Sequence, residues 1–157
     1  MIRKTFLYLS VLLLLVSCSQ EEDHDMEKPE INMSGASTFP LTCEVVYRGE
    51  SFTFKALFTD NEELGNYNIE IHNNFDHHSH STDDVDCEPD EEKKPVKPFI
   101  YSKDFSIPSG STSYEAQNSI LVPEDVDTGD YHFMIRLTDK SGWQQLKAVG
   151  IKIKDRD

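Results

Sequence analysis

A single antiparallel β-sandwich of about seven strands is the fold this chain predicts. Three observations lead there. Apolar and polar residues alternate with a period of two over many segments. No stretch beyond the N-terminal leader sustains the period of an amphipathic helix. Gly, Pro and Asp break the alternation at intervals suited to short strands and turns.

The elements follow in order. A first strand is expected near residues 30–33. Phe52, Phe54, Ala56 and Phe58 alternate with Thr53, Lys55 and Thr59, which gives a half-buried strand. Tyr67, Ile69 and Ile71 alternate with Asn68, Glu70 and His72 in the same way. Weaker strands are expected over 99–107 and 114–122. Tyr131, Phe133, Ile135 and Leu137 alternate with His132, Met134, Arg136 and Thr138, and Val149, Ile151 and Ile153 form the last strand.

Two turns refine the architecture. Asp127-Thr128-Gly129-Asp130-Tyr131 resembles the Asp-x-Gly-x-Tyr pattern that precedes strand F of immunoglobulin-like domains, where the tyrosine caps a corner. Thr138-Asp139-Lys140-Ser141-Gly142 reads as the turn between the last two strands. Phe133 occupies the place of the second core cysteine of antibody domains, and Trp143 follows a turn instead of lying on strand C. The expectation is therefore an immunoglobulin-like module without the inter-sheet disulfide.

The N-terminus reads as an address. Arg3 and Lys4 precede an apolar run over 6–16, which suits a secretory signal and is short for a membrane span. Leu15-Val16-Ser17-Cys18 resembles the lipobox of bacterial lipoproteins, implying cleavage after residue 17 and lipidation of Cys18. Acyl chains would then hold the protein on a membrane. The acidic run from Glu21 to Asp25 resembles the surface-export signal of Bacteroidota lipoproteins, so the outer-membrane cell surface is expected, with the periplasmic leaflet as the alternative. Residues 18–28 read as a solvated tether that includes His24, and 29–157 as the sandwich.

Cleavage leaves 140 of the 157 residues, enough for one core. Loss of Arg3 and Lys4 takes the formal charge from −14 to −16, which argues against nucleic-acid binding and against electrostatic adhesion to anionic lipid. Cys43 and Cys87 remain as an even pair, and outside the cytoplasm a disulfide is the expected state. Closing that loop would stabilise by about 4 kcal/mol in the chain-entropy model. Two thiolates acting as metal ligands are the competing reading.

The sharpest functional clue is histidine. Four of the six histidines fall within nine residues, His72, His77, His78 and His80, where a strand leaves for an acidic loop. In an immunoglobulin sandwich strands C and F are antiparallel neighbours. The end of the strand carrying His72 should then lie beside the start of the strand carrying His132. Imidazole suits zinc, copper and iron, and three or four such rings satisfy zinc. His72, His78, His80 and His132 are the leading ligand candidates, His77 the next, and Asp76 a ligand or a carboxylate that orients a ring. A solvated histidine-rich loop is the competing reading.

The acidic run from Asp83 to Glu92 lacks the spacing and central glycine of an EF-hand, so it reads as a solvated loop more readily than as a calcium site. The whole segment 73–98 is long for a connection in a compact domain, which points to function or disorder. A bond from Cys87 to Cys43 would give it a fixed shape, and Lys93 to Pro98 reads as a stiff exit.

The lipobox, Thr59-Asp60 through Tyr67, the run from Ile71 to His80, and Tyr131-His132-Phe133-Met134 with Thr138-Asp139 resemble domain-of-unknown-function family 4625, small Bacteroidota lipoproteins. The resemblance implies a lipoprotein and a β-sandwich, and carries no activity with it.

Three function classes compete. The first is a non-enzymatic surface lipoprotein that binds a transition metal, zinc foremost, for capture or for an outer-membrane transporter. The second is an adhesion or glycan- or protein-binding module of a surface complex, for which Trp143 and Tyr101 are the aromatic candidates. The third is a metal-dependent hydrolase, disfavoured because neither His-Glu-x-x-His nor a nucleophile elbow occurs. Haem held by His132 and Met134 is weaker still.

Overall fold

The computed structural model describes residues 24–79 and 87–156. Eight strands form two packed sheets: β1 (Glu30–Asn32), β2 (Glu44–Tyr47), β3 (Ser51–Thr59), β4 (Leu64–Asn73), β5 (Tyr101–Ser106), β6 (Ser113–Leu121), β7 (Gly129–Asp139) and β8 (Gln144–Lys154). One sheet has the order β1-β3-β6 and the other β2-β8-β7-β4-β5. In immunoglobulin terms β4, β7 and β8 are the C, F and G strands. The β-sandwich expected from alternation is the fold observed.

Two details differ from the sequence reading. There are eight strands among the described residues, because the four-residue β2 was not anticipated. Its Glu-Val-Val-Tyr sequence is too short for alternation to identify it. Nor is the sandwich wholly antiparallel, since β2 pairs with β8 in parallel. The remaining named strand pairs are antiparallel.

The core is built from the alternating sets. Phe54 and Phe58 from β3 face Tyr67, Ile69 and Ile71 from β4 and Tyr131, Phe133, Ile135 and Leu137 from β7, all fully buried or nearly so. Phe133 packs at a ring-centroid distance of 5.4 Å from Phe54, so the position of an antibody core cysteine is filled by an aromatic pair. Gly65 lies where β4 departs from regular register with β7. A Cβ there would stand 2.8 Å from the carbonyl oxygens of Thr138 and Asp139, so only glycine admits the two strands at this approach.

The tyrosine corner is formed. The Tyr131 hydroxyl donates to the Asp127 carbonyl at 2.7 Å and accepts from the Phe99 N–H at 3.1 Å. Burial pushes that hydroxyl up to about 12, so it stays a donor at neutral pH. Tyr131→Phe would strand the buried Phe99 N–H and the half-buried Asp127 carbonyl, and equilibrium denaturation should show a loss of about 1–3 kcal/mol.

The tether also differs from the expectation. Asp25 is buried, and its carboxylate accepts from the Glu27 N–H at 3.0 Å and from Asn61 Nδ2 at 2.8 Å. Trp143 Nε1 donates to the Asp25 carbonyl at 2.8 Å. Local turn formation and this indole contact dock the segment onto the sandwich where solvated chain had been expected. Cys18 lies outside the described residues.

Candidate functional site

β4 and β7 place His72 and His132 directly opposite one another in the ladder. Both project from the outer face, because the intervening Ile71 and Phe133 point into the core. His132 is buried, not exposed as its outward position suggested, since the segment after β4 folds back over it. The backbone turns at Asn74, whose N–H donates to the Asp130 carbonyl at 2.8 Å. Phe75 is then buried edge-on against Tyr131, with centroids 5.3 Å apart. Anchoring Phe75 in this way carries Asp76, His77 and His78 back toward the histidine row.

His78 reaches that row. Its ring stacks on His72, with centroids 5.5 Å apart and planes 13° apart, and its centroid is 5.0 Å from that of His132. The Nε2 atoms of His72 and His78 stand 3.4 Å apart. Each ring is held from its other nitrogen by a carboxylate: His72 Nδ1 is 3.1 Å from Glu70 Oε1, and His78 Nδ1 is 2.6 Å from Asp76 Oδ1. A neutral ring donating from Nδ1 carries its lone pair on Nε2. Carboxylate contacts on both rings therefore favour the tautomer that leaves the lone pairs on the two Nε2 atoms, which stand 3.4 Å apart. The His78 ring beside Asp76 holds that carboxyl below the usual carboxylate range.

The other candidates fall into three groups. His132 is adjacent, its Nε2 donating to the His78 carbonyl at 3.1 Å, so here it positions the His78 backbone. His77 is not gathered with these rings. It takes a positive φ of 52° and turns toward Glu92 at 3.8 Å and Asp130 at 3.9 Å. His80, with Asp83, Asp84 and Asp86 of the acidic run, lies outside the described residues. Asp76 makes, with His78 Nδ1, the carboxylate–imidazole contact that the orienting reading requires.

Several ties hold the described parts of the 73–98 segment against the sheet. Cys43 and Cys87 are joined by a disulfide spanning 44 residues. The Cys43 N–H donates to the carbonyl of Gly150, the register partner of His132 on β8, so the disulfide abuts the histidine row. Further along, Lys152 Nζ is 2.7 Å from both Asp90 and Asp130. The Asp127 carboxylate accepts from the N–H groups of Val96 and Lys97 at 2.7 and 2.8 Å. Of the aromatic candidates for adhesion, Tyr101 packs against the core, whereas Trp143 is exposed and is held by its indole nitrogen donating to the Asp25 carbonyl.

A family model described as Domain of unknown function (DUF4625) matches residues 16–154. The chain belongs to that family. No curated protein matches this DUF4625 chain. Among solved structures it is similar to the sporulation control protein Spo0M from Bacillus subtilis, at 11% identity and a TM-score of 0.43. That alignment covers 82% of the DUF4625 chain and 49% of Spo0M, so the chain spans about half the length of the other protein.

One residue that contacts the histidine pair of this DUF4625 chain was given no role from sequence. Glu70 entered the sequence reading only as an outward residue of its strand, yet its carboxylate meets His72 Nδ1 at 3.1 Å. The signal was available for His72: Glu70-Ile71-His72 sets a carboxylate two residues before a histidine on a strand, a spacing that in extended chain puts both groups on one side.

Proposed function

We propose that this protein is an extracytoplasmic lipoprotein, anchored through Cys18, that binds zinc or a similar transition metal at the end of its β-sandwich without catalysing a reaction. The observation that carries the reading is the 3.4 Å separation of His72 Nε2 and His78 Nε2. Tetrahedral zinc with bonds of about 2.0–2.1 Å places its ligand atoms about 3.3 Å from each other. Two imidazoles already at that spacing, each oriented by a carboxylate, match the outer hydrogen bonding of histidine metal ligands. His132, whose ring centroid is 5.0 Å from that of His78, would have to release the His78 carbonyl and move to become a third ligand, and His80 belongs to the same loop.

The arrangement suits capture better than turnover. Glu70 and Asp76, the nearest carboxylates to the two rings, are occupied on Nδ1 atoms, so neither is placed as a general base for a metal-bound water. A net-acidic surface would concentrate cations around the site. Delivery to an outer-membrane transporter or surface complex is the corresponding cellular role.

Cobalt(II) tests the geometry directly. The chain should give the intense visible bands of a tetrahedral nitrogen site, bleached by zinc; weak octahedral bands alone would rule the geometry out. Asp76→Asn should leave the fold intact and lower zinc affinity by about 10–100-fold, measured by competition with a chromophoric chelator.

A further inference from the structure

At the opposite end of the sandwich three carboxylates converge. Asp139 ends β7, seven residues and roughly 23 Å along the strand from His132. Asp60 follows β3, and Asp25 comes from the docked N-terminal segment. One oxygen from each lies within 4.8 Å of the others.

Each carboxylate divides its oxygens in the same way. Asp25 Oδ1 accepts from Glu27 and Asn61, Asp60 Oδ2 accepts from the Glu62 N–H at 3.1 Å, and Asp139 Oδ1 accepts from the Trp143 N–H at 2.8 Å. The second oxygens, Asp25 Oδ2, Asp60 Oδ1 and Asp139 Oδ2, are buried with no hydrogen-bond partner. Asp25 is only 8% exposed and Asp139 only 4%. Among the described residues no lysine, arginine or histidine forms an ion pair with any of the three. Burying three carboxylates together without a countercharge is strongly unfavourable. Backbone N–H groups and the Asn61 amide nevertheless hold them in place by the first oxygen of each, which leaves the second set buried and unbonded within one cluster.

We infer that Asp25, Asp60 and Asp139 form a calcium site that staples the N-terminal segment to the sandwich. An all-oxygen, carboxylate-rich set without nitrogen or sulfur is the chemistry of a hard cation. Calcium accepts irregular geometry and completes its shell with water or carbonyl oxygen, whereas magnesium demands a near-ideal octahedron. The bound ion would link residues before β1 to the β3–β4 and β7–β8 turns, fixing the domain's orientation relative to whatever precedes it. This site is independent of the histidine cluster and does not rest on the proposed function.

Trp143 is the only tryptophan, and its indole nitrogen already touches Asp25, so it can sensitise a lanthanide bound at the triad. The intact chain, stripped with a chelator, should give terbium emission on tryptophan excitation that saturates at one ion per chain and is displaced by calcium. Calcium about 100-fold above its dissociation constant should raise Tm by about 8 °C. Asp60→Asn, at the least buried of the three, should abolish the emission, while His72→Ala with His78→Ala should leave it unchanged. Absence of sensitised emission and of any calcium-dependent Tm shift in the unmutated chain would overturn the site, whatever the variants do. Emission that persists in a folded Asp60→Asn chain, or is lost with the histidines, would equally overturn it.

Discussion

Replacing His72 with alanine is expected to weaken zinc binding by more than about 100-fold, beyond the 10–100-fold that loss of an orienting partner carries. The ring supplies one of the two nitrogens that stand at ligand spacing among the described residues, so its removal takes away half of that pair. His78→Ala should match it, and the double variant should add little, because two ligands of one ion act as a unit. Isothermal titration at neutral pH measures all three. Proton competition supplies a second readout. Both rings bind metal only when neutral, so once both are protonated in the metal-free protein, affinity should fall by up to about 100-fold per pH unit. A surface histidine loop with independent weak sites would instead show graded, additive losses.

The second large effect is expected from the disulfide. Cys43→Ser with Cys87→Ser removes a 44-residue covalent closure. The chain-entropy model puts the cost at about 4 kcal/mol, which for a domain of this size lowers Tm by roughly 15 °C. The consequence should extend to the metal site. Cys87 is fixed beside Gly150, the neighbour of His132, so freeing it loosens the segment that presents His78. Thermal melts with and without reductant, followed by zinc titration of the reduced protein below its Tm, separate the two consequences. Lower stability with unchanged zinc affinity would show that Phe75 and the Asn74 turn alone position His78.

The limits of the sequence are physical ones. Strands β3, β4, β7 and β8 were legible because each buries one face for long enough that period-two alternation is unmistakable. Strand β2 was not, because four residues cannot establish a period and its pairing depends on β8 more than a hundred positions away. The meeting of His72 with His132 was legible because it follows from strand neighbourhood alone. The course of the loop was not. Which of His77 and His78 turns inward is decided by Phe75 packing on Tyr131 and by the positive φ of His77, both tertiary outcomes. The acidic triad was invisible for the same reason: Asp25, Asp60 and Asp139 come from a tether and two turns, and no spacing links them. Asp25 in particular was read as part of a solvated run, where composition gives no hint that Trp143 and Asn61 would hold it.

The proposed metal site requires His72 and His78 as its two halves. Its most direct test is the metal content of the chain from residue 19 onward, purified with a histidine-free tag, dialysed against trace zinc and analysed by elemental mass spectrometry. About one zinc per chain is expected, retained through gel filtration and lost when His72 and His78 are both alanine. No stoichiometric metal, or metal that survives the double substitution, would contradict it and return the histidines to a solvated loop on a surface interaction module.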